Sequence, residues 1–178
     1  MLHSSPMSRG IALGMSTLLT LVTAGCITGF KHPLGPVSQS HVDEILLGPW
    51  SCRATDDDNP VALTFLDFDG RQYYVHLEDQ KSDPQSLRAV ATKLNDASFL
   101  SLRFIGPQAE AEWTVVQYTQ PDPGRLKLSN VAPEAFEDLL DEPQAIRDRL
   151  AGRLEDPEVM SDALDCTRPE ASQKEAVR

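Results

Sequence analysis

Apolar residues recur through the middle of the chain in short runs with a period of two, the spacing that puts successive side chains on opposite faces of a strand. Trp50 to Ala54 opens the series. In Val61 to Phe68, Val61, Leu63 and Phe65 share one face while Leu66 and Phe68 take the other, a two-sided pattern that predicts burial on both. Asp69-Gly70 marks a hairpin, after which Gln72 to Glu78 sets Tyr73, Val75 and Leu77 opposite Tyr74, His76 and Glu78. Further strands are expected at Ser98 to Ile105, at Glu112 to Thr119 and, beyond the turn Pro121 to Gly124, at Arg125 to Val131. Residues 84–95 fit two readings. Leu87, Val90, Ala91 and Leu94 have helical spacing behind Asp83 and Pro84, and a strand through Leu87 to Ala91 is the alternative.

Helical signals lie at the two ends of this series. Ser40 as N-cap, Asp43 and Glu44 in a first turn and Gly48 as a stop predict a short helix over 41–47. Three more are expected near prolines, over Pro133 to Leu140, Pro143 to Leu154 and Pro157 to Leu164. Ile146, Leu150 and Leu154 stripe the second, and Val159, Met160, Ala163 and Leu164 the third. A meander of this kind must curl or be covered to bury its inner face. The fold class is therefore α+β: an antiparallel meander of six to seven strands, barrel or half-barrel, covered by short C-terminal helices. Gly48-Pro49-Trp50 resembles the Gly-x-Trp opening of lipocalins and related calycin barrels, and strands followed by a C-terminal helix are similar to their order. The resemblance implies a lipocalin-like barrel in which Phe65, Tyr73 and Val75 line a cavity for a small apolar ligand.

The front of the chain follows different rules. Residues 1–25 carry Arg9 as their sole formal charge and hold the apolar run Ile11 to Ala24. The uncharged core of this run is shorter than the roughly 20 residues that span a bilayer as a helix, and it has the plan of a signal peptide starting at Met1 or Met7. It ends in Leu21-Val22-Thr23-Ala24-Gly25-Cys26, which resembles the lipobox of bacterial lipoproteins. That resemblance implies cleavage before Cys26 and acylation of its thiol. Ile27 rather than Asp after the cysteine implies the outer membrane, with the protein lipid-anchored on the periplasmic side. Residues 26–40 mix Gly, Pro and Ser without a period and read as the lipidated cysteine plus a flexible tether. Residues 41–166 read as one globular domain, and 167–178 as a polar tail.

Cysteine usage fits that compartment. With Cys26 taken by lipid, Cys52 and Cys166 remain as an even pair for an oxidising space, predicting a disulfide that staples the helical end to the first strand. Closing a loop of this length contributes about 4.7 kcal/mol on the chain-entropy argument.

The charge narrows the partners. The 178 residues hold 27 acids against 16 Lys and Arg, for a formal −11. Removing residues 1–25 leaves the mature chain one charge more negative. No clustered basic run suits nucleic acid. The excess is densest from Ala132 to Cys166, with 11 acids and 3 basic residues, so Glu137, Asp138, Asp141 and Glu142 are candidates for a face that binds a basic protein partner of the envelope.

Catalytic chemistry finds no foothold. Asp56-Asp57-Asp58-Asn59 lacks the glycine and glutamate of an EF-hand loop and reads as a solvated hairpin. His76 would share a face with Tyr74 and Glu78 and reads as polar outer surface. There is no G-x-S-x-G elbow, phosphate loop, dinucleotide fingerprint or HExxH run. The expectation is no enzyme, no catalytic residue, no metal and no cofactor. A tethered protein-binding or accessory module of the cell envelope leads, with a lipocalin-like carrier or sensor second and an enzyme inhibitor or periplasmic enzyme third.

Overall fold

The computed structural model of the protein describes residues 29–54, 57–80, 82–106 and 112–169. The signal sequence, Cys26, Asp56 and residues 170–178 of the expected tail lie outside them. The strands are β1 (Gly48–Ala54), β2 (Asp57–Asp67), β3 (Gln72–Glu78), β4 (Gln85–Leu94), β5 (Ala97–Phe104), β6 (Thr114–Thr119), β7 (Arg125–Val131) and β8 (Met160–Thr167). Each pairs antiparallel with the next, and β1 pairs with β8, so the sheet closes into a barrel. The α+β barrel is as expected, but eight strands replace six or seven.

Both extra pieces have a physical reason. Residues 84–95 are strand because β4 lies between β3 and β5, pairing from Gln85 through Leu94, with Leu87, Ala89 and Ala91 turned inward. The expected helix Pro157 to Leu164 is instead β8 from Met160 onward. Without it β7 and β1 would each present an open row of backbone donors and acceptors. Closing those two edges outweighs a helical spacing only a few residues long. Residues 41–47 form a turn, held by Leu46 N–H to Asp43 O and Leu47 N–H to Glu44 O, rather than the expected helix. Pro133–Leu139 is a 3-10 helix kinked at Phe136, and α1 (Pro143–Ala151) follows, shorter than its apolar stripe suggested.

Two apolar layers hold the molecule together. Inside the barrel, Trp50, Phe65, Tyr73, Val75, Leu100 and Leu126 are all buried with Leu46, whose turn closes one end. Trp50 Nε1 donates to Leu46 O at 2.8 Å, so the largest inner side chain and the plug fix each other. The second layer lies outside the barrel wall, where Val90, Phe99, Val115 and Val131 meet Phe136, Ile146 and Leu150 of the helical cover. Each such side chain contributes roughly 1.5–3 kcal/mol on burial.

The expected tether is the largest departure. Phe30 and Leu34 are each 2% exposed and belong to the outer layer. Phe30 bridges Trp113 through two backbone bonds of 2.8 and 2.7 Å. Leu34 N–H donates to Ser101 Oγ at 2.9 Å, and Ala91 N–H donates to Ser40 Oγ at 3.0 Å. Residues 29–40 are thus a strap, docked across the wall by two large side chains and two hydroxyls. It has no period because none of its backbone follows a regular ladder.

Candidate functional site

The candidate residues separate into a staple, a plugged mouth, an acidic cover and an uncovered wall. Cys52 and Cys166 are register partners in β1 and β8, point into the barrel, and form a disulfide with Cα atoms 3.9 Å apart. The bond therefore closes the barrel seam instead of fixing a helix to the first strand. A buried disulfide between neighbouring strands is structural.

At the plugged end, Asp43 collects two tyrosines. Tyr73 Oη accepts from Asp43 N–H at 2.5 Å, and Tyr118 Oη donates to Asp43 Oδ2 at 3.2 Å. Burial pushes the Tyr118 phenol up to about 12 and raises Tyr73 as well, so both stay protonated donors near neutrality. Beside them runs an open groove of about 610 Å³ lined by Asp43, Asn95, Asp96, Ser98, Gln117 and Tyr118. Its lining side chains offer hydrogen-bond donors and acceptors. His76 Nε2 lies 3.0 Å from Glu78 Oε1, while Tyr74 Oη bonds Ser86 Oγ, so the expected strand-face trio divides into two pairs. Among the described residues no three His, Cys, Asp or Glu side chains are grouped to hold a metal ion.

The acidic cover is partly neutralised from within. Glu137, Asp138, Asp141 and Glu142 are all exposed. Asp138 takes both arms of Arg149 at 2.6 and 2.9 Å, which holds its carboxyl below the usual range. Asp141 accepts from Lys31 Nζ at 2.7 Å, tying the strap to the cover. Of these four, Glu137 and Glu142 make no such pairs among the described residues.

Sequence reading missed the uncovered wall. Leu66, Tyr74, Arg88 and Arg103 occupy one register row across β2 to β5, all on the outer face. Leu66 is 49%, Phe68 56% and Ile105 50% exposed, so the second apolar face of β2, expected to be buried, has no layer over it among the described residues. Two arginines directly opposite each other repel. They splay apart instead, the Arg88 guanidinium 5.2 Å from the Phe68 ring centre and that of Arg103 4.8 Å from the Trp113 ring centre. The signal was already present in Leu66 and Phe68, because apolar residues on both faces of a strand imply two covers and the described residues supply one. No known protein family, curated protein or solved structure matches this chain.

Proposed function

We propose that the protein is a lipid-anchored module of the cell envelope, held through Cys26 on the periplasmic side of the outer membrane, that binds a protein partner rather than carrying a small molecule. The observation that supports this is the filled barrel. Phe65, Tyr73 and Val75, the residues a carrier would use to line its cavity, are at most 1% exposed and pack against Trp50 and Leu46. A carrier of this architecture holds its ligand in the lumen. The acidic cover is the surface for a basic partner, with Glu137 and Glu142 among its charges that make no ion pair within the described residues.

Crosslinking in intact cells, with purification through the protein and identification of the captured chain, tests this reading. A basic envelope protein is expected, lost when Glu137→Lys and Glu142→Lys are combined and retained in Asp138→Asn, whose charge is already met by Arg149. Recovery of a stoichiometric small apolar molecule on denaturation would instead establish the carrier. Cys26→Ser should release the protein from membranes and end palmitate labelling.

A further inference from the structure

We infer that the uncovered wall of β2 to β5 lies against the surface of the same membrane that holds the acyl chains, with Arg88 and Arg103 on lipid phosphates and Leu66, Phe68 and Ile105 among the headgroups. The inference rests on the reading of Cys26 as the acylated residue. Its own support begins at Gly29, the first described residue. Gly29 is fixed to the wall, its N–H donating to Glu112 Oε2 at 2.6 Å, and Phe30 next to it is paired with Trp113. Only Ile27 and Thr28 separate Cys26 from this point. Three residue steps reach at most roughly 11 Å, about the diameter of a helix. A barrel tied this closely rests on the bilayer with whichever surface adjoins the tether.

Two surfaces do, and they differ in sign. On one side of Phe30 lies the helical cover, through the Phe136 ring at 5.9 Å and the Lys31–Asp141 pair, bearing Glu137, Asp138, Asp141 and Glu142. On the other side lies Trp113 with Arg103 stacked on it, leading to Arg88, Ile105, Leu66 and Phe68. Anionic headgroups repel the first and attract the second. The carboxylates along this side are hydrogen-bonded within the fold: Glu112 accepts from the Gly29 amide, Glu78 lies 3.0 Å from His76 Nε2, and Asp67 and Asp69, which flank Phe68, accept from the amides of Gly70, Arg71 and Gln72. Among the described residues neither arginine has a carboxylate partner. An overall −11 would keep a free protein away from anionic lipid, but here the anchor supplies the attachment and the wall decides only which way the barrel faces.

The test uses the full chain, purified after acylation in a bacterial host and reconstituted into phosphatidylethanolamine vesicles containing phosphatidylglycerol with brominated acyl chains. A bimane probe is placed in turn at Ile105→Cys, at Leu66→Cys and, on the exposed outer face of β1, at Ser51→Cys. Bromolipid quenching at least twofold stronger at the first two positions than at the third is expected, and Arg88→Gln combined with Arg103→Gln should reduce that difference. Mass spectrometry of the N-terminal peptide from the same samples reports acylation, and peptide mapping of the Cys52–Cys166 bond reports folding. Equal quenching at all three positions in an acylated, correctly bridged protein overturns the docking and leaves the anchor standing. An unmodified Cys26 overturns the anchor and the docking together.

Discussion

Tyr118 shows what one residue does when a polar tip must survive in an apolar wall. Its ring sits in the barrel interior and its hydroxyl reaches Asp43 at the plug, so ionising it would put a second negative charge beside a carboxylate. A phenol whose folded value is about 12 against an ordinary 10.0 contributes stability that is complete below pH 10 and lost as pH climbs through 12. The denaturant midpoint should therefore fall across that interval, and Tyr118→Phe, weaker at neutral pH for want of the hydrogen bond, should show a shallower fall. A midpoint that tracks wild type throughout would remove Tyr118 from the account. Gly35 makes the opposite point, since a Cβ there would stand 2.6 Å from Thr92 Oγ1 and 2.7 Å from its Cγ2. Gly35→Ala should cost about 1–3 kcal/mol by lifting the strap from the wall, measured by chemical denaturation. The inner faces of β2 and β3 were legible because alternation needs only neighbours in sequence. The strap was not, because Phe30 and Leu34 are buried by partners more than 60 residues away, Trp113 and Ser101.

Among the elements, β8 carries the closure. It pairs with β7 from Met160 to Thr167 and with β1 over three residues around Cys52, so the shorter seam is the one the disulfide fastens. Its sequence, MSDALDCT, places Leu164 and Cys166 inward, yet it alternates weakly and follows a proline, which is why it reads as a helix in isolation. The cysteine pair was legible from an even count, whereas the closed barrel that uses it depends on an edge-to-edge match no local window contains. Combining Cys52→Ser with Cys166→Ser should lower unfolding stability by about 2–5 kcal/mol. The loss should appear first as faster amide exchange in β1 and β8, ahead of β3 to β5. Uniform exchange across all eight strands would show that the seam is no weaker than the rest of the wall.

At the scale of the whole molecule the decisive length is that of the tether. Read from composition, residues 26–40 hold the domain clear of the membrane. With residues 29–40 docked on the wall, only Ile27 and Thr28 separate the docked segment from Cys26, and orientation becomes a consequence of attachment. Arg88 and Arg103 then need to supply only enough affinity to choose between two adjoining faces. That division of labour depends on a high effective concentration of lipid at the wall, which falls as the linker lengthens. Inserting 20 Gly and Ser residues between Thr28 and Gly29 gives a typical span of roughly 25 Å, more than twice the present reach. The Gly29–Glu112 and Phe30–Trp113 bonds stay in place, so thermal stability and acylation should match wild type. The lipid quenching at Ile105 should drop toward that at Ser51, because the barrel can then leave the surface without leaving the membrane. Undiminished quenching in the lengthened chain would mean that the arginine wall holds lipid by its own affinity and that the short tether merely accompanies it.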